Sequence, residues 1–168
     1  MNITLTSRAF APGEDIPLRF TRQGENLSPP LQWSQSPAGT KSFVVVCDQP
    51  NGPSGNAVHW LVYNLPASTT GLPEGLPTID PLPNGARHGV NDFNRTGYSG
   101  PHVPTAGIQR YIFQVYALNV LLPARPGMTK SHVIQAMESH LLARGRLVCS
   151  LSAAAAAAVN LPMSVVHA

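Results

Sequence analysis

The stretch CDQPNGPSGNAVHWLVYN, residues 47–64, decides the reading of this chain. Its first half is punctuated by Pro50, Gly52, Pro53 and Gly55, residues that mark turns. Its second half runs into His59 to Leu65 (HWLVYNL), an apolar segment rich in aromatic and β-branched residues and too short for a typical helix. Upstream, Ser42 to Cys47 (SFVVVC) has the same character. Downstream, Arg110 to Val120 (RYIFQVYALNV) is the longest such run. All three are apolar on both faces, which predicts central, buried strands. Ile3 to Ser7, Leu18 to Phe20 and Leu147 to Leu151 are weaker strand candidates.

Around these runs the composition is that of one loop-rich globular domain. The chain has 168 residues, 17 Pro, 14 Gly and only 11% charged residues. The net charge of +3 comes from scattered residues, mostly Arg, with no basic run. Phosphate backbones require clustered cations, so nucleic acid is not an expected partner. No stretch approaches the ~18 apolar residues that would span a bilayer, and MNITLTSRAF lacks the form of a signal peptide. Cys47 and Cys149 lie in apolar runs and read as reduced, buried thiols. A cytoplasmic protein is expected.

One helix is predicted. Thr129 can cap KSHVIQAMESHLLAR, in which Val133, Ala136, Met137, His140 and Leu141 recur at helical spacing, and Gly145 follows as a stop. After Leu151 comes SAAAAAAVNLPMSVVHA. Its alanines favour a helix over residues 152–159, and its apolar end could cover a cavity mouth or a homodimer surface, or remain disordered. Mostly strands with one or two peripheral helices predicts a mainly β, sandwich-like core of two sheets.

Five blocks, in order, resemble the phosphatidylethanolamine-binding protein family, also called Raf-kinase-inhibitor-like, in its bacterial branch. They are GENLSPPLQW (24–33), PAGTKSF (37–43), residues 47–64, GVNDFNRTGYSGP (89–101) and VPTAGIQRYIFQVYAL (103–118). The resemblance covers residues 1–151, leaving 152–168 as an Ala-rich extension. It implies two antiparallel sheets in a β-sandwich-like fold, and a small cavity that takes phosphate-like or carboxylate-like anions. The implied cavity motifs are D-P-D-A-P, a histidine ten residues past the first Asp, and P-P-x-G-x-x-H-R-Y.

Transferred position by position, the motifs are only partly kept. His59 and Trp60 match the histidine and its aromatic neighbour; Pro50, Pro53, Pro104, Arg110 and Tyr111 also match. Gln49 and Asn51 replace the two acidic residues, Gly52 replaces Ala, Val103 the first proline of the later motif, and Gln109 its histidine. The resemblance thereby implies ligand contacts at Gln49, Asn51, Pro53, His59, Pro104, Gln109 and Tyr111, and at Tyr98 and Gly100 in the fourth block as wall residues. His102, in GPHVP beside the cavity loop, is a candidate to restore the missing imidazole from a new position. Amides supply donors and acceptors but do not titrate, so the anion pocket is expected to be neutralised and open to neutral polar or weakly anionic small molecules. Strand alternation should turn Asp48 away from a cavity that Gln49 faces, leaving it to accept from backbone N–H groups in a turn. Asn91 and Asp92 should shape a loop without touching ligand. His88 is a weaker site candidate than His59 or His102.

No zinc-type cluster, phosphate loop or nucleophile elbow is present in the sequence, so neither metal nor cofactor is expected. Three functions fit. The first is small-molecule binding. The second is a repurposed enzyme of a specialised-metabolite pathway, a cyclase, isomerase or addition catalyst using His59 and Gln109. The third is a kinase or peptidase inhibitor-like interaction, which rests on fold analogy.

Overall fold

The computed structural model describes residues 2–34, 36–52 and 55–154. Its strands are β1 (Leu5–Thr6), β2 (Leu31–Trp33), β3 (Ser42–Gly52), β4 (Gly55–Pro66), β5 (Gly71–Leu72), β6 (Arg87–His88), β7 (Ile108–Leu118) and β8 (Leu141–Ser152), with helix α1 (Lys130–Met137) between the last two. The long strands form an antiparallel five-stranded sheet in the order β6-β4-β3-β7-β8, and β1-β2-β5 form a second, smaller antiparallel sheet. The fold is mainly β, as the sequence predicts.

The double-sided apolar character of the central runs has a direct cause. Alternation along β3 sends Val45 and Cys47 into the space between the sheets, where they meet Leu31, Trp33, Trp60 and Phe113. Val44 and Val46 point the other way, into a second cluster with Leu61, Leu122, Met128 and the α1 residues Val133 and Met137. Each buried Val, Leu or Phe contributes on the order of 2 kcal/mol of transfer free energy. Both Cys47 and Cys149 are free and buried. Burial raises the Cys47 thiol well above its ordinary value and pushes Cys149 up to about 12, so both are unreactive packing groups.

Two expectations change. Leu18–Phe20 is a single 3₁₀ turn, not a strand, and it serves to bury Phe20. The helix is capped at Thr129 as expected, with the Thr129 side chain accepting from His132 N, but it ends at Met137. Of the residues read as its last turns, Glu138 to His140 form a turn and Leu141 to Arg144 belong to β8. There Ala143, Gly145, Leu147, Cys149 and Leu151 alternate inward against β7. Gly145 is not a helix stop. The N-terminal segment crosses it, with Ile3 N donating to Arg144 O, and a Cβ at Gly145 would lie 2.3 Å from Ile3 O.

That crossing segment also shields the edge of β8, since Gly13 N and Ile16 N donate to Val148 O and Ser150 O. Among the described residues no helix is long and apolar enough to cross a membrane. The alanine-rich helix expected over 152–159 and the apolar residues after it lie, from 155 onward, outside the described residues.

Candidate functional site

At one end of the five-stranded sheet, β3, β4 and β7 enclose a cavity of about 380 Å³. A bulge in β4 builds its floor. Cys47 pairs with Trp60 and Asp48 with Val58, leaving His59 as the extra residue between them. A bulge bends the strand and re-aims a side chain. Here the freed backbone of His59 bonds across to the 91–99 loop, its carbonyl accepting from Ser99 N and Asn91 Nδ2. The imidazole turns into the cavity and is still only 2% exposed.

The ring is fixed on every side. His59 Nδ1 donates to Ser99 O at 2.7 Å, which sets the tautomer because a carbonyl can only accept. Tyr111 meets the ring edge-on at 5.3 Å between centroids, and Phe93 lies tilted at 4.9 Å. Burial holds the imidazole below its ordinary pKa despite the Ser99 bond, and the Arg22 charge adds to that lowering. His59 is therefore neutral at physiological pH, with the Nε2 lone pair facing the cavity floor.

Nε2 lies 3.4 Å from Gln49 Oε1, and Gln49 Nε2 donates to Gln109 Oε1 at 3.0 Å. These three side chains form one hydrogen-bonded row. An amide oxygen suits a protonated His59. For the neutral ring the matching arrangement has both amides turned over, with Gln49 donating to Nε2 and Gln109 donating to Gln49. In either direction the free end of Gln109 stays in the cavity. Gly52 makes room for the row, because a Cβ there would lie 2.9 Å from Gln49 Cδ. The Tyr111 hydroxyl, raised by burial, remains protonated as a donor.

Gln49, His59, His102, Pro104, Gln109 and Tyr111 all line this cavity. His102 stands at the rim, exposed, with Nδ1 donating to Val103 O at 3.0 Å. Three expected contacts are elsewhere. Asn51 sits exposed at the tip of the β3–β4 hairpin with φ 54°, its N–H bound to Asn56 Oδ1. Tyr98 is core: its hydroxyl donates to Phe20 O at 2.7 Å and its ring packs edge-on against Trp60. Gly100 lies behind the wall, where a Cβ would meet Phe20 O at 2.4 Å. Pro53 lies outside the described residues.

Asp48 faces the opposite side of the sheet, as alternation requires, but it does not cap a turn. Its carboxylate pairs with Lys130 Nζ on α1 at 2.7 Å. His88 is buried in β6, away from the cavity. Asn91 ties the 91–99 loop together: Oδ1 accepts from Phe93 N and Arg95 N, while Nδ2 donates to Gly97 O and Ser99 Oγ.

Sequence reasoning missed Arg22 and Phe93, both in the cavity wall. The Arg22 guanidinium stacks on the Phe93 ring at 3.9 Å and its Nε donates to Gly100 O. The floor is thus made of uncharged groups, while the wall carries one cation. Two signals pointed to this pair: a basic residue just ahead of GENLSPPLQW, and a lone aromatic in the polar loop NDFNR.

Comparison with known proteins agrees with this architecture. The family model for phosphatidylethanolamine-binding protein matches residues 6–152. A UPF0098 protein of Methanothermobacter thermautotrophicus is 42% identical over 146 residues, covering 87% of this chain and 96% of that one. The UPF0098 protein YbhB of Escherichia coli is 42% identical over 123 residues, covering 69% and 78%. Among solved structures, a phosphatidylethanolamine-binding protein homologue of Chlamydia trachomatis superposes with TM-score 0.81 at 36% identity, over 90% of this chain and 97% of that one. YbcL of E. coli gives 0.83 at 30% identity, over 90% and 99%.

Proposed function

The chain belongs to the phosphatidylethanolamine-binding protein family, and from that premise we propose that it binds a small organic molecule whose buried end is polar and uncharged. The observation that carries this reading is the row His59–Gln49–Gln109, which ends with an unused amide group in the cavity. An amide, ketone or enol can pair with that group. A carboxylate or phosphate pressed against the floor would meet no cation there and would lose its hydration without compensation. The aromatic walls of Tyr111 and Phe93 supply apolar contact on either side. The cytoplasmic location expected from the sequence belongs to the same proposal, since free thiols suit a reducing compartment.

Native mass spectrometry of the purified chain tests the reading. One molecule of a small organic compound per chain is expected. Once extracted and identified, it should rebind the wild type and fail to rebind a Gln49→Leu, Gln109→Leu variant. Equal rebinding by that variant overturns the assignment of the row.

A further inference from the structure

Behind the Arg22–Phe93 stack lies a second recess, about 490 Å³, lined by Arg22, Asn26, Phe93, Asn94, Arg95 and Ser99. Arg22 and Phe93 line both spaces, so the stack is their common wall. We propose that this recess is an oxyanion subsite, which takes the phosphate, sulfate or carboxylate group of a ligand whose uncharged end occupies the amide cavity.

The hydrogen-bond inventory of the wall supports this. Four of its acceptors are already engaged. Ser99 O takes His59 Nδ1–H, Gly100 O takes Arg22 Nε–H, Asn26 Oδ1 takes Gly100 N–H at 2.7 Å, and Ser99 Oγ takes Asn91 Nδ2–H. Donors dominate what is left toward the recess: the terminal nitrogens of Arg22, the Arg95 guanidinium, Asn26 Nδ2 and the Ser99 hydroxyl proton, beside the side-chain amide of Asn94, which offers both a donor and an acceptor. Neither arginine has a carboxylate partner among the described residues; the three ion pairs there belong to Arg19, Arg87 and Lys130. Two acids lie three residues away in sequence. Asp92, from Arg95, accepts from Val58 N and lines the groove beside α1 instead, while Glu25, from Arg22, is exposed and is absent from the recess lining. Two unpaired guanidinium groups, one held flat by a ring and a carbonyl, are suited to an oxyanion, which accepts paired N–H bonds. The floor of the amide cavity offers no cation, so the two spaces select opposite ends of one molecule. The bipartite ligand rests on the proposed function of that cavity; the oxyanion subsite does not.

Inorganic phosphate is the probe, followed in ¹H–¹⁵N spectra of the whole chain at constant ionic strength. The Arg22 and Arg95 Nε–H signals and the Ser99 and Gly100 amides should shift together, saturating with one dissociation constant. Arg95→Met should weaken that constant about tenfold, whereas Gln109→Leu, which alters only the amide cavity, should leave it unchanged. Shifts centred on Gln49 and Gln109, or equal constants for wild type and Arg95→Met, overturn the subsite. Loss of small-molecule binding in Gln109→Leu with phosphate binding intact separates this inference from the reading of the cavity.

Discussion

His59 Nδ1 donates to the carbonyl of Ser99 at 2.7 Å, and this single bond decides which nitrogen the cavity receives. The bond is available because the β4 bulge lifts His59 out of register with β3. Replacing the ring changes more than one contact: the 91–99 loop loses a tether and the amide row loses its terminus.

Stability should fall in mild acid. Burial lowers both His59 and His88 below their ordinary value near 6.5, with the Arg22 charge as a further cause for His59. Unfolding lets each imidazole take up a proton below about pH 6.5 that the fold resists until a lower pH. The folded state is therefore favoured above that point and loses stability as pH falls through the window, by about 1.4 kcal/mol for each unit of lowering. Neither ring nitrogen of His88 has a protein partner, so His88→Leu should raise stability by about 1 kcal/mol at pH 7 and flatten the acid slope. Thermal melts at pH 7.5 and 5.5 check both; a wild-type midpoint that does not drop contradicts the assignment.

Asp48→Asn should leave ligand binding intact. The ion pair with Lys130 lies on the far face of the sheet and is partly exposed, so removing it should cost no more than about 1 kcal/mol. Chemical denaturation alongside ligand titration measures the two effects. A tenfold loss of affinity would mean that the carboxylate reaches the cavity after all.

Gly52→Ala tests the amide row from outside it. The new methyl would press on the Gln49 amide carbon from 2.9 Å and on Gly55 O across the hairpin from 3.0 Å, and of the two the flexible side chain yields more readily than the backbone. Affinity for the extracted ligand should fall about tenfold, roughly 1.4 kcal/mol, with the melting midpoint shifted little. Unchanged affinity would show that Gln49 does not have to stay in place.

Much of this was legible in the sequence, for physical reasons. SFVVVC and HWLVYNL, short, β-branched and aromatic, read as strands buried on both faces, and they are. Gln49, His59, Gln109 and Tyr111 followed from motif positions on those strands, where backbone geometry fixes direction. Only the Leu147 to Leu151 part of β8 reads as a strand, because Leu141 and Leu142 continue the apolar spacing of α1; the alternation of Ala143, Gly145, Leu147, Cys149 and Leu151 is the better signal for its full length. Tyr98 and Gly100 misled because motif proximity does not tell the cavity side of a loop from its core side. Arg22 reaches the cavity from the segment after the 3₁₀ turn, a long-range placement that no local pattern announces.

The most direct test uses a neutral probe, 2-pyrrolidone, whose ring amide carries one donor and one acceptor. In ¹H–¹⁵N spectra it should shift the side-chain amides of Gln49 and Gln109 and the His59 ring signals at a single site, and Gln109→Leu should abolish those shifts. Shifts that bypass Gln49 and Gln109, or that persist unchanged in Gln109→Leu, would contradict a cavity that binds through its amide row.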